Sequence, residues 1–132
     1  MTAPSEILVD CTTLPWVPIS EGIDFRLLNT STESGRWTVI FRAQAGSRFA
    51  AHRHLGAGEY YVLTGRMTYR MGEARAGTYG YEPLDVIHDL TCFPEYTELL
   101  FTNHGPVAFL GADGSVETIL DHASLTALAA AA

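Results

Sequence analysis

Residues 46–65 read GSRFAAHRHLGAGEYYVLTG, and two histidines two residues apart stand in the first half of this stretch. In an extended chain the side chains at i and i+2 point to the same face, so His52 and His54 are expected to project together. An α-helix would separate the same two side chains by about 200° around its axis. The spacing therefore predicts a strand from which two imidazoles can reach one metal ion.

A second histidine-bearing stretch, GTYGYEPLDVIHDLTC, covers residues 77–92. His88 lies among Val86, Ile87 and Leu90, and this short apolar run predicts another strand. It is expected to supply a third imidazole from a different part of the chain. Three imidazoles on a β framework make a nitrogen-rich site that suits Fe, Zn, Cu or Ni rather than Mg or Ca.

The two stretches resemble the two sequence motifs of the cupin superfamily. The first block is Gly46-x5-His52-x-His54-x4-Glu59-x5-Gly65, and the second is Gly77-x5-Pro83-x-Asp85-x2-His88-x3-Cys92. Asp85 stands where the family has a turn glycine, and Cys92 stands where it has an asparagine. The resemblance implies a metal site at one mouth of a small β-barrel.

Glu59 is the position at which the family pattern and the spacing disagree. Counted forward from His54, Glu59 falls on the family's fourth ligand, but the interval to Gly65 is one residue short. A one-residue slip in a strand turns a side chain to the opposite face. We therefore predict a three-histidine site, with Glu59 facing outward towards a strand neighbour or a subunit contact.

The rest of the chain predicts many short strands, which indicates an antiparallel sandwich or barrel. Residues 66–71 are expected to pair with residues 59–64 around a hairpin turn at Gly65. Residues 7–9 are interpreted as a short strand or extended piece, and residues 72–76 are interpreted as a turn. Further strands are expected at 14–19, 23–28, 37–42, 97–102, 107–110 and 116–120, with a hairpin turn at Asp113-Gly114 and a helix capped by Asp121.

The fold class that follows is all-β, a single-domain cupin jelly-roll barrel with a short C-terminal helix. The expected divisions are one cupin domain over residues 1–132, with its core at about 36–120, an extended N-terminal arm at 1–22 and the helix at about 121–130. The length of 132 residues is sufficient for one buried core.

Composition excludes several classes of partner. A net charge of −7 without a basic stripe argues against nucleic acid and against an anionic membrane surface. The N-terminus lacks a secretion-signal pattern, and no apolar run approaches the length of a membrane span. Cys11 and Cys92 have no metal-binding spacing and are expected to be free thiols in a reducing cytoplasm.

Residues 36–120 more narrowly resemble the acetylacetone-cleaving, or β-diketone-cleaving, dioxygenases and the related 2,4′-dihydroxyacetophenone dioxygenases. The resemblance implies Fe(II) held by His52, His54 and His88. The positions that it implies around the metal are Tyr60, Arg70, Glu82 and Thr91, with Phe49 as an apolar wall. Glu82 is expected to accept from the outer N–H of a ligand histidine, and Arg70 to hold Glu82 or Tyr60.

The substrate pocket is expected to be lined by Phe49, Leu99, Phe101 and Asn103. The relatives have aromatic side chains on the strand that carries Leu99 and Asn103, so this chain is predicted to have a wider and more polar pocket. Phe49, Leu99 and Phe101 would keep water from the reacting groups.

The leading hypothesis is a non-haem Fe(II) dioxygenase that cleaves a C–C bond of a β-diketone or a related enolisable carbonyl compound, with O₂ as co-substrate. One alternative is a Zn or Ni cupin that acts as an isomerase, cyclase or hydrolase without O₂. Another is a non-enzymatic metal-binding sensor. Homo-oligomerisation as a dimer or tetramer is expected because Ile7–Val9, Trp16 and Ile19 make the N-terminal segment apolar.

Overall fold

The computed structural model describes residues 6–132, in which fourteen strands are followed by one helix. The strands are β1 (Val17–Ser20), β2 (Ile23–Thr30), β3 (Trp37–Ala43), β4 (Arg48–Phe49), β5 (His52–His54), β6 (Gly58–Thr64), β7 (Arg66–Tyr69), β8 (Gly72–Arg75), β9 (Tyr79–Glu82), β10 (Ile87–His88), β11 (Thr91–Cys92), β12 (Thr97–Asn103), β13 (Val107–Leu110) and β14 (Val116–Leu120). A 3₁₀ turn (Cys11–Thr13) precedes β1, and helix α1 (His122–Ala131) ends the chain.

One sheet contains six strands in the order β1-β2-β3-β12-β6-β9, and all its neighbours are antiparallel. Burial alternates strictly along β3, where Trp37, Val39 and Phe41 face the core. The same alternation on β12 turns Leu99 and Phe101 inward. This period of two is the pattern of a sheet with one buried face.

Two four-stranded sheets complete the barrel, in the orders β10-β5-β13-β14 and β4-β11-β7-β8. Met67, Val107 and Leu120 from these sheets join the inner face of the six-stranded sheet in one hydrophobic cluster. The short strands β5 and β10 lie side by side in the first of the two sheets. The barrel wall thereby brings the two histidine-bearing stretches together.

The predicted hairpin at Gly65 is wrong. β6 pairs with β12 and β9, whereas β7 pairs with β8 and β11, so the chain changes sheets at this glycine. Gly65 has a φ of 80° and lies so close to the backbone of Tyr96 and Thr97 that no Cβ would fit. The alternation of residues 66–71 correctly indicates a strand but cannot show which strand is its neighbour.

One further local prediction needs correction, and two are confirmed. Residues 72–75 form β8 rather than a turn. The hairpin at Asp113-Gly114 joins β13 to β14, as predicted. The carboxylate of Asp121 accepts a hydrogen bond from the Ser124 backbone N–H at 2.7 Å and caps α1, also as predicted.

The N-terminal segment is joined to the six-stranded sheet. β1 lies at its edge and pairs with β2. The ring of Trp16 is contacted by the guanidinium groups of Arg26 and Arg42, which lie 4.1 Å and 4.5 Å from its centroid. No helix in the described range, residues 6–132, is long and apolar enough to cross a membrane.

Candidate metal centre

The three predicted histidines lie together in the interior of the barrel. His52 and His54 project from the same face of β5, and His88 on β10 is the direct cross-strand partner of His52. All three side chains are buried. Their ring centroids are 5.1 to 5.3 Å apart. The structure thus brings together the i, i+2 pair on a strand and the third histidine from the second stretch.

The orientation of His52 is set by the backbone. Its Nδ1 lies 2.9 Å from the carbonyl oxygen of Ala50, a contact in which the ring N–H donates to the carbonyl. This hydrogen bond leaves Nε2 unprotonated and directed at the other two histidines. His52 can therefore offer Nε2 as a metal ligand.

Glu82 contributes a carboxylate to the same cluster. Its Oε2 contacts Nε2 of His54 and lies 3.2 Å from Nε2 of His88. One donor atom from each of His52, His54, Glu82 and His88 lies within 4.8 Å of the others. Both ring nitrogens of His54 and His88, and Oε2 of Glu82, are buried without a hydrogen bond of acceptable geometry. Buried polar atoms that converge without hydrogen bonding fit a shared cation.

The structure therefore places a fourth candidate donor beside the three predicted histidines. The resemblance predicts Glu82 as an acceptor behind a ligand histidine, but its oxygen lies among the nitrogen atoms that converge. Three imidazoles and one carboxylate suit a transition metal such as iron or zinc. The sequence contains no spacing rule for this residue, because Glu82 lies on β9 and not within either histidine strand.

Burial and neighbouring groups set the protonation of the cluster. Burial lowers the pKa of His52 to about 4, so its ring is neutral at ordinary pH. Burial would raise the pKa of Glu82, but the contacts with His54 and His88 outweigh it and lower that pKa to about 2. A neutral imidazole and an ionised carboxylate are the forms that bind metals.

Glu59 faces away from the cluster, as predicted. The hydroxyl of Tyr79 on the neighbouring strand β9 donates to its Oε1 at 2.5 Å, and Nε2 of His104 lies 3.5 Å from its Oε2. The Glu59 side chain is 41% exposed. The shortened interval before Gly65 therefore does turn this glutamate to the outer face of the sheet.

The other positions implied around the metal are placed unequally. Tyr60 is buried, and its hydroxyl lies 2.6 Å from that of Tyr69, whose ring lies 5.3 Å from the ring of His88. Thr91 is buried and lines the metal cavity. Arg70 lies exposed in the turn between β7 and β8, and within residues 6–132 it forms no ion pair or hydrogen bond with Glu82 or Tyr60.

All four predicted pocket residues line a small inner cavity next to the cluster, with a volume of about 30 Å³. These residues are Phe49, Leu99, Phe101 and Asn103. The sequence prediction misses Phe109, whose ring lies 5.5 Å from His52 and 6.2 Å from Phe49. The sequence contains only a weak signal for Phe109 as a cavity residue, because it lies on β13, outside both histidine motifs. The volume is that of about one water, so the pocket is not wide in this conformation.

A larger cleft of about 680 Å³ lies on the other side of Phe49 and Phe109. The two aromatic rings, together with Leu120, line both the cleft and the inner cavity. Arg48 and Glu21 place opposite charges in the cleft. A cleft of this size is typical of small-molecule sites. The side chains of Phe49, Phe109 and Leu120 lie between this cleft and the metal cavity.

Comparisons with known proteins agree with this geometry. Residues 4–108 match the family model described as the ChrR cupin-like domain. The chain belongs to this cupin family. The cupin is 38% identical over 112 residues to an acetylacetone-cleaving enzyme of Acinetobacter johnsonii. The aligned region covers 76% of this chain and 73% of that enzyme.

Two solved structures extend the relationship to the fold. The crystal structure of an acetylacetone dioxygenase from Acinetobacter johnsonii superimposes with a TM-score of 0.87 at 33% identity, over 99% of this cupin and 94% of that chain. A crystal structure from Methylibium petroleiphilum PM1 superimposes with a TM-score of 0.90 at 36% identity, over 96% of both chains. The predicted all-β cupin fold and the predicted relationship to acetylacetone-cleaving dioxygenases are both confirmed.

Proposed function

We propose that this cupin is a non-haem Fe(II) dioxygenase that cleaves a C–C bond of a β-diketone or a related enolisable carbonyl compound. The observation that carries the proposal is the convergence of donor atoms from three imidazoles and one carboxylate in a cavity walled by aromatic rings. The ring nitrogens of His54 and His88 and Oε2 of Glu82 are buried there without hydrogen bonds. The similarity to an acetylacetone-cleaving enzyme supports the reaction class.

His52, His54, His88 and Glu82 would hold the metal. When bound, Fe(II) supplies Lewis acidity that favours the enolate form of the substrate, together with electrons for the reduction of O₂. The single carboxylate compensates one of the two positive charges of the ion, and the neutral imidazoles compensate none. Enough charge therefore remains to attract an enolate oxygen.

The cavity wall contributes the exclusion of water. Phe49 packs edge-on against Phe41 and Phe93, and Phe101 stacks parallel to the ring of His54 at 6.3 Å. These contacts hold apolar surface directly against the donor cluster. A site of this kind strengthens electrostatic interactions with a bound enolate and limits side reactions with water.

Tyr60 would keep a protonated hydroxyl near the site. Burial, followed by the hydrogen bond with Tyr69, raises the pKa of Tyr60 well above its ordinary value. A phenol that does not ionise can donate or accept a hydrogen bond without adding negative charge beside Glu82. Its proposed role is to orient groups around the carboxylate, and we propose the same role for Thr91, which also lines the cavity. Arg70 lies exposed outside this cavity and has no proposed role in the site.

The proposed partners are a small-molecule substrate and O₂, in a cytoplasmic protein. Cys11 and Cys92 are both free thiols, which fits a reducing compartment.

The direct test is elemental analysis of protein purified without added metal, followed by O₂ uptake with acetylacetone and larger diketones. We expect bound iron and O₂ consumption in proportion to substrate cleaved. His54→Ala should lose both, whereas His104→Ala, which removes an exposed histidine outside the cluster, should retain both. Turnover of the zinc-loaded protein without O₂ would replace this proposal by an isomerase or hydrolase.

A further inference from the structure

Asn103 carries a buried amide oxygen that has no hydrogen-bond partner among the residues that the structure describes. It ends β12, its side chain is only 1% exposed, and its Oδ1 forms no hydrogen bond. The same side chain lines the inner cavity together with His54 and Glu82. An unpaired polar group in a protein interior is unfavourable, so Oδ1 would be stabilised by a hydrogen-bond donor that enters the cavity.

The surroundings of Asn103 within residues 6–132 leave space for the amide but offer no hydrogen-bond donor to its Oδ1. The neighbouring indole N–H of Trp37 donates to the carbonyl oxygen of Gly105 at 3.0 Å and is therefore engaged elsewhere. Gly58, the cross-strand partner of Asn103 on β6, has no side chain, and an added Cβ would lie 2.7 Å from Oδ1. A larger residue at position 58 would displace the amide.

We infer that Asn103 hydrogen bonds to a hydroxyl group of the substrate, so that the preferred substrates are hydroxylated β-diketones. This inference rests on the proposed function and narrows its substrate class. A hydroxyl both donates and accepts, and it can therefore pair with either orientation of the amide. A charged group is disfavoured, because Trp37, Phe101 and Val107 make the nearby walls apolar.

The volume of the cavity fits a group of that size. An inner cavity of about 30 Å³ has room for about one water, and a hydroxyl occupies a similar space. The hydroxyl-bearing end of a substrate would then lie near Asn103, with its carbonyl oxygens towards the histidine cluster. A site that hydrogen bonds a substrate hydroxyl also discriminates strongly against the analogue that lacks it, because the protein group is then left unpaired.

The test compares one diketone with and without a terminal hydroxyl group in wild type and Asn103→Leu. We expect wild type to favour the hydroxylated compound by about 100-fold or more in kcat/KM. Asn103→Leu should lose most of that preference while its kcat/KM for the plain diketone changes only a few-fold. Leu100→Met, a change of similar volume on the opposite face of the same strand and outside the cavity lining, is the control and should keep the preference.

A binding measurement tests the role of Asn103 without requiring turnover, and therefore independently of the proposed reaction. Zinc-loaded wild type and Asn103→Leu are titrated with both diketones without O₂ by calorimetry. Tighter binding of the hydroxylated compound in wild type alone supports the role of Asn103, even if neither compound is cleaved. Equal affinities in wild type, or a preference retained in Asn103→Leu, would overturn it. If Asn103→Leu does not fold, Asn103→Ala is measured in its place.

Discussion

Oε2 of Glu82 lies 3.2 Å from Nε2 of His88, although the two residues belong to different sheets. The connecting loop makes this possible because Asp85 adopts a φ of 70° and its backbone N–H donates to the carbonyl oxygen of His54 at 2.8 Å. The next residue, Val86, accepts from the backbone N–H of His54 at 3.0 Å. The loop that carries Glu82 and His88 is thus fastened to the strand that carries the other two histidines.

Glu82→Gln should weaken metal binding by about 10-fold or more, because a charged donor is replaced by a neutral amide. Glu59→Gln is the matched control, since it makes the same chemical change on the outer face of the sheet. It should leave the metal affinity within a few-fold of wild type. The measurement is competition with a calibrated chelator. A larger loss in Glu59→Gln than in Glu82→Gln would restore the ordinary cupin glutamate as the ligand.

Gly80→Ala should destabilise the fold by about 1–3 kcal/mol, because the space of a Cβ at position 80 is occupied by the Tyr60 ring. Thermal unfolding of wild type and Gly80→Ala measures this loss of stability. A double-mutant cycle with Tyr60→Leu tests the cause, since the smaller side chain should relieve part of the overlap. Strictly additive losses would show that the two positions do not interact.

The apo protein should lose stability as pH falls from about 6.5 towards 4. The pKa of His52 is lowered from 6.5 to about 4 by burial, so the unfolded state takes up a proton over this range before the folded state does. The contribution is about 3 kcal/mol at most, present above pH 6.5 and lost as pH falls to about 4. Urea unfolding at several pH values tests it, with His52→Gln as control. An equal decline in that variant would assign the effect to other groups.

Phe109→Ala should join the inner cavity to the outer cleft. Phe109 lines both spaces and packs against Phe49 and His52, so its removal opens a path between them. We expect kcat/KM for bulky diketones to rise about 10-fold relative to that for acetylacetone. Thr118→Ala, which alters the outer cleft alone, should leave the ratio unchanged. An unchanged ratio in Phe109→Ala would show that substrates enter elsewhere.

The protein should form at least a homodimer. Ile7 and Leu8, in the segment that precedes the edge strand β1, are two adjacent exposed apolar side chains that a second copy of the chain would cover. Light scattering at micromolar concentration should give at least twice the chain mass. Leu8→Asp should shift the protein towards monomer, whereas Glu6→Gln, at a neighbouring polar position, should not. A monomeric wild type would contradict the prediction.

Local periodicity determines which side chains share one face of a strand, and this part of the site follows from the sequence. The spacing of His52 and His54 predicts their common direction, and the shortened interval before Gly65 turns Glu59 outward. Both conclusions need only the alternation of side chains along an extended chain. The spacing around His88 adds the third imidazole through resemblance to known motifs.

The remaining features of the site were decided by pairing between strands that are distant in the sequence. Glu82 becomes a candidate ligand because β9 lies at the edge of one sheet while its following loop is hydrogen bonded to β5 in another. Tyr69 and Phe109 reach the histidines in the same non-local way, and Gly65 joins two sheets instead of forming a hairpin. Periodicity specifies the face of a strand but not its neighbour, which depends on how the whole chain buries its apolar surface.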